Sequence, residues 1–143
     1  MKWLLDTNIV SEFSRPKPDE KVVAWVQGVA DDEIRLSVIS LAELGRGIAL
    51  LPDGKRKAEL SAWLTNDLLV WLADRVYPID TRISTCWGDL LASMQKKGVQ
   101  MNPMDGFIAA TAMVHGCTLA TRNTKDFVSV PVAVHNPWIN EQS

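Results

Sequence analysis

Cysteine and histidine are scarce in this chain, two of each in 143 residues. Cys86 and Cys117 stand in no metal-binding spacing, so a zinc-finger-like thiolate site has no basis. Each reads as an ordinary buried thiol, unpaired as suits a reducing compartment. His115 and His135 stand near no nucleophile, which leaves them surface or capping roles at a helix end and a strand end. Charge of one sign is lacking too: 15 Lys and Arg against 17 Asp and Glu give a net charge of −2. No bulk basicity marks a nucleic-acid binder. That balance does not exclude an enzyme that cuts nucleic acid, because bound metal offsets local carboxylate charge. The N-terminal apolar run is far too short for a signal peptide or a membrane span, which points to the cytoplasm. No glycine-rich turn follows that run, so a phosphate-cradling nucleotide loop is missing. A haloacid-dehalogenase-type phosphatase needs aspartate two residues after its first, and position 8 is Asn8. The acidic pair and late lysine of a receiver domain are missing as well.

What is present suits a packed domain. Hydrophobic residues make up 47% of the chain, enough for one core, and residues 1–143 read as a single domain without repeat or linker. Residues 2–6 predict a short buried strand ending at Asp6, and helices are expected over 7–14 and 20–29. Residues 34–38 are β-rich, and Ser40 opens a helix to residue 50 or 51. In 55–73, Leu60, Leu64, Leu68 and Trp71 recur at helical spacing. An extended link at 76–79 precedes a helix over 81–97. Asn102-Pro103 opens another through His115, with Gly116 as its stop. Strands at 118–121 and 132–135 flank a helical turn at 123–127. Short strands alternating with helices predict an α/β fold, a mainly parallel sheet covered on both faces in three α/β/α layers. Sites in such sheets form beyond the carboxyl ends of the strands.

Asp6, Glu43 and Asp105 each stand where a strand or loop hands over to a helix. Each alone has a structural explanation. Ser40-Leu41-Ala42-Glu43 matches a capping box, and Asn102-Pro103-Met104-Asp105 has an N-cap, a first-turn proline and a first-turn acid. Asn123-Thr124-Lys125-Asp126 repeats that layout, and Asp6 is placed to cap the helix from Thr7. A joint reading competes with these. Three polar groups, Asp6-Thr7-Asn8, follow a buried strand directly. The small run Ala109-Ala110-Thr111-Ala112 lets the helix after Asp105 approach the sheet closely. Carboxylates gathered at strand ends repel one another unless a cation holds them, which makes a divalent-metal site the first functional idea.

At these residues the chain resembles a PIN-domain ribonuclease toxin of the VapC and FitB-like type, from type II toxin–antitoxin systems. The matching pieces are Leu4-Leu5-Asp6-Thr7-Asn8-Ile9-Val10-Ser11-Glu12, Ser40-Leu41-Ala42-Glu43-Leu44 with Gly47, and Asp105-Gly106-Phe107-Ile108-Ala109-Ala110-Thr111-Ala112. Leu119-Ala120-Thr121-Arg122-Asn123-Thr124-Lys125-Asp126-Phe127 and the closing Asn136-Pro137-Trp138 follow in the family's order. The resemblance implies a PIN-like α/β/α domain and a metal-dependent endoribonuclease. It also implies an RNA substrate, a partner antitoxin, a homodimer and a higher assembly with that antitoxin. Asp6, Glu43 and Asp105 take the family's acidic positions as ligands of Mg²⁺ or Mn²⁺, whose preference is for oxygen. The implied reaction is attack on an RNA phosphodiester by metal-activated water. The fourth acidic position falls at Asn123, where many relatives have aspartate. An amide there brings no charge. Asp126, one turn on, is the alternative, although capping or solvent exposure also explains it. Asn8 and Thr121 would orient carboxylates or water. A non-catalytic PIN-like module that binds antitoxin or RNA stays open because of Asn123.

Arg15, Lys17, Arg46, Arg82, Arg122 and Lys125 are candidates for phosphate contacts, with Arg46 and Arg122 ranked first for their nearness in sequence to Glu43 and Asn123. Scattered cations are, however, the ordinary composition of a solvated surface. Six tryptophans are many for this length. Core packing is their default, and Trp63 and Trp71 are the best placed for a groove or dimer face.

Overall fold

A computed structural model describes residues 1–139; the last four residues of the expected domain lie outside the described residues. Five strands are present among the described residues: β1 (Trp3–Leu5), β2 (Ile34–Ser37), β3 (Val76–Tyr77), β4 (Thr118–Ala120) and β5 (Val134–His135). They form one sheet in the order β3-β2-β1-β4-β5, and every described pair is parallel. The helices are α1 (Thr7–Phe13), α2 (Glu20–Gly28), α3 (Val38–Ala49), α4 (Lys55–Ala62), α5 (Leu69–Leu72), α6 (Thr81–Lys96) and α7 (Pro103–His115).

Successive strand residues point to opposite faces, and β1 shows the consequence. Leu5 joins a core built with Ile9, Val22, Leu36, Leu68 and Leu72, from the α1 to α5 side. Leu4 joins a second core with Leu90, Met94, Ile108, Ala109 and Phe127, from the α6 and α7 side. Both leucines are 0% exposed. The sheet is therefore covered on both faces, giving the three layers expected of a parallel sheet.

Local signals set most boundaries. Asn102 Oδ1 accepts from the amides of Met104 and Asp105, Pro103 stands at the first helical position, and Gly116 closes α7 in the left-handed region at φ 65°. Ile108, Ala109 and Ala112 of this helix are buried in one cluster with the strand residues Leu4 and Leu119. Glu12 is also buried; its Oε2 accepts from the Asp19 amide at 2.8 Å and its Oε1 pairs with Arg15 at 3.3 Å, closing the α1–α2 turn.

Two expectations are corrected. The α3 helix starts at Val38, not Ser40, because β2 ends at Ser37 in extended conformation and the Ser37 hydroxyl accepts from the Ile39 amide at 3.1 Å. Ser40 and Glu43 therefore form no capping box. The 55–73 stretch is not one α-helix either. A π turn at Trp63–Leu68 separates α4 from α5 and changes the phase of the apolar stripe. Leu68 and Leu72 are buried in the core, whereas Trp63 and Trp71 are partly buried around a cavity of about 250 Å³.

Candidate active site

The β1 and β4 strands are neighbours, but the chain leaves them toward opposite edges of the sheet, so their carboxyl ends mark the topological switch point. Asp6 follows β1 and Thr121 follows β4. The Asp6 amide donates to the Ala120 carbonyl at 2.8 Å, which ties the two strand ends together. Asp6 is 5% exposed and well partnered. Its Oδ1 accepts from the Thr7 amide at 2.7 Å; its Oδ2 accepts from the Thr121 hydroxyl at 2.7 Å and from Asn8 Nδ2 at 3.4 Å. It caps α1, as expected of it alone, and faces the shared site as well. Asn8 also accepts the Arg122 amide at its Oδ1, at 3.3 Å, so it bridges the two strand ends.

Glu43 reaches the same place from α3. Its Oε1 accepts from the Thr7 hydroxyl at 2.7 Å, and that hydroxyl lies 3.0 Å from the hydroxyl of buried Ser40. Asp105 stands half-buried in the first turn of α7, and its carboxylate accepts no hydrogen bond among the described residues. Burial pushes its pKa up from 3.8 to about 6, and the charges of Asp6, Glu43 and Asp126 add to the rise. Burial also raises Asp6, partly offset by the Thr121 and Thr7 hydrogen bonds, with Glu43 and Asp126 pushing the same way as burial.

At the fourth position, Asn123 is exposed and makes no side-chain cap of the 3₁₀ turn Thr124–Phe127, contrary to the cap layout read there. Its backbone amide donates to Thr121 Oγ1 at 3.0 Å. The charge that Asp6 and Asp105 feel from this segment belongs to exposed Asp126, which shares a cavity of about 540 Å³ with Asp105. Sequence reasoning passed over Thr7 and Ser40 as site groups. The available signal was a hydroxyl beside the first acid and a second three residues before Glu43.

The donor set is all oxygen, which suits a hard divalent cation. Among the described residues no three such side chains are gathered closely enough to hold a metal as they stand. The fit is one of chemistry: unrelieved repulsion around Asp105 is what a cation would remove.

The family model of the PIN domain matches residues 3–132. The chain belongs to the PIN-domain family. This PIN protein is 42% identical over 135 residues to the toxin FitB of Neisseria gonorrhoeae, covering 94% of its own chain and 97% of that one. It is 39% identical over 135 residues to the VapC ribonuclease Y4jK of Sinorhizobium fredii, covering 94% and 96%. The solved structure of FitAB bound to an IR36 DNA fragment matches it with a TM-score of 0.91 at 39% identity, over 98% of each chain.

The cations ranked first for RNA are placed differently from each other. Arg46 is exposed on α3, one turn past Glu43. The Arg122 guanidinium lies over the Trp138 ring, 5.1 Å from its centroid, and Asn136 Nδ2 donates to the Arg122 carbonyl at 3.4 Å. The histidines pack instead of pairing with a nucleophile: His115 stacks on Tyr77 at 3.7 Å, and His135 lies 5.2 Å from Trp25. Both cysteine thiols are free.

Proposed function

We propose that this PIN protein is a metal-dependent endoribonuclease, the toxin of a type II toxin–antitoxin pair, acting in the cytoplasm on RNA phosphodiester bonds. The observation that supports this reading is that Thr7, at the start of α1, bonds both Asp6 and Glu43, with Asp105 close enough for their charges to add to the rise that burial causes in its pKa. The names of the relatives, toxin FitB and VapC ribonuclease, support it. So does the FitAB complex on DNA, which fits a homodimer entering a higher assembly with a cognate antitoxin. No helix among the described residues is long and apolar enough to cross a membrane.

Asp6, Glu43 and Asp105 would hold Mg²⁺ or Mn²⁺. Bound there, the ion supplies positive charge to the phosphate oxygens and acidifies an attacking water. The chain's own residues do the positioning. Thr121 and Asn8 fix the Asp6 oxygens, and Thr7 fixes Glu43 Oε1. Asp126, with Asn123 beside it, supplies the remaining acidic charge at the mouth.

Asp6→Asn tests the assignment. The purified variant should keep the wild-type circular dichroism spectrum and lose Mg²⁺- or Mn²⁺-dependent cleavage of RNA. Retained cleavage refutes the role of Asp6. Wild-type protein that binds RNA but never cuts it with either metal overturns catalysis and favours the non-catalytic binding module.

A further inference from the structure

Two cavities meet at the mouth of this site. The one of about 540 Å³ holds Asp105, Lys125 and Asp126. The other, about 840 Å³, runs along α6 from Lys97 to Arg82. Met94, Val128, Ser129 and Val130 line both, so the two form one groove that leaves the carboxylates and follows the helix. Residues 82 and 97 are 15 positions apart, about 22 Å of helix.

We propose that this groove is the track of the single-stranded RNA flanking the cut phosphate, resting on the reading of Asp6, Glu43 and Asp105 as an RNA-cutting centre. Charge selects the occupant. Arg82, Lys97 and Lys125 stand at the far end, the bend and the mouth, all exposed, and none makes an ion pair among the described residues. Among the described residues Asp89 is the one carboxylate lining the longer cavity, and the acids Asp105 and Asp126 line the shorter one, at the cutting centre itself. In a chain of net charge −2, three free cations along a groove that opens onto a phosphate-cleaving centre match a polyanion. The floor between them is apolar, with Leu90, Met94, Met113 and Val130, and it suits base and ribose faces. Hydroxyls of Thr81, Ser93 and Ser129 line the same path and match phosphate and 2′-hydroxyl oxygens. The track revises the ranking of cations by nearness in sequence. Arg122 is stacked on Trp138, whereas Arg82, 23 residues before Asp105, and Lys97 line the groove that reaches the acids.

The test is the salt dependence of binding. Fluorescence anisotropy with a 12-nucleotide oligouridylate, in EDTA to prevent cleavage, is measured over a salt series. The proteins are the full-length wild type, Arg82→Gln/Lys97→Gln, and a control, Lys21→Gln/Lys55→Gln, which removes the same charge elsewhere. Each lost phosphate contact lowers the log–log slope by about 0.7 for single strands, so the groove variant should lose about 1.4. Its affinity at low salt should fall about tenfold or more, while the control keeps the wild-type slope. Equal slopes in groove variant and control overturn the track. So does a groove variant that binds RNA normally but shifts from dimer to monomer in sedimentation, since a second copy then covers this face. Wild-type protein that shows the slope difference yet never cuts RNA supports the track and removes the catalytic reading, so the two fail separately.

Discussion

Thr7 holds both Asp6 and Glu43. Its amide donates to Asp6 Oδ1 and its hydroxyl donates to Glu43 Oε1, each at 2.7 Å. One residue at the start of α1 thereby sets the spacing of an acid just after β1 and an acid on α3. Thr7→Val keeps the shape and removes the hydroxyl, leaving the Glu43 carboxylate short of a donor. A loss of about 1–2 kcal/mol in urea denaturation is expected. Mn²⁺ affinity by calorimetry should fall about 10- to 100-fold, as for other groups that orient a ligand. Thr7→Ser should recover most of both, and a Thr7→Val protein with wild-type Mn²⁺ affinity would remove Thr7 from the site.

Asp105 predicts a pH dependence of stability. Its pKa is raised from 3.8 to about 6, first by burial and then by Asp6, Glu43 and Asp126. The folded state binds this proton more tightly than the unfolded chain does. The stability it contributes is therefore full below about 3.8 and is lost as pH rises through about 6. Asp105→Asn is neutral throughout and escapes that loss. In EDTA at neutral pH the variant should melt about 2–4 °C above wild type, a modest gain because solvent screens a half-exposed acid. The gap should close as pH falls to about 4. A variant no more stable than wild type at neutral pH would show that the acids do not strain the metal-free site.

The sequence carried the elements and the acids but not their connections. The β1 strand and α7 were legible because their signals are local: an apolar pair before Asp6, an Asn-Pro start and a glycine stop. Ser37 and Ser40 stand three residues apart before the same apolar run, and only the end of β2 decides which one caps. The Thr7–Glu43 bond joins positions 36 apart and exists because α1 packs on α3. Arg122 looked free for RNA because Trp138, which it stacks on, comes 16 residues later. The groove along α6 is invisible to any local pattern, since its walls come from α6, α7 and the loop at 128–131.

The fourth acidic position gives a paired prediction. From this segment Asp126 adds a charge that raises Asp6 and Asp105, less than Glu43 does, whereas Asn123 is exposed and brings no charge. Asp126→Asn should weaken Mn²⁺ binding about tenfold, in the range for a group that tunes rather than dominates a site. Asn123→Asp should tighten binding when its side chain turns inward, and should rescue Asp126→Asn in the double variant. Calorimetry on the three proteins decides it. If Asp126→Asn binds like wild type, Asp126 is a surface acid and the site runs on three.

Gly106 predicts how closely α7 must approach α6. A Cβ built there meets Leu91 Cδ2 at 2.5 Å and Trp87 Nε1 at 3.0 Å. Leu91 is the end of a flexible side chain and can turn away. Trp87 cannot easily follow, because its Nε1 donates to the Pro103 carbonyl at 3.0 Å and its ring stacks on Phe107 at 4.6 Å. The clash therefore falls on the first turn of α7, next to Asp105. Gly106→Ala should cost about 1–3 kcal/mol, the usual range for overpacking, despite alanine's better helix propensity. Adding Leu91→Ala should return part of that loss, and denaturant melts of the two single variants and the double give the coupling directly. Additive costs would mean that the helices part without strain and that glycine is not needed for this approach.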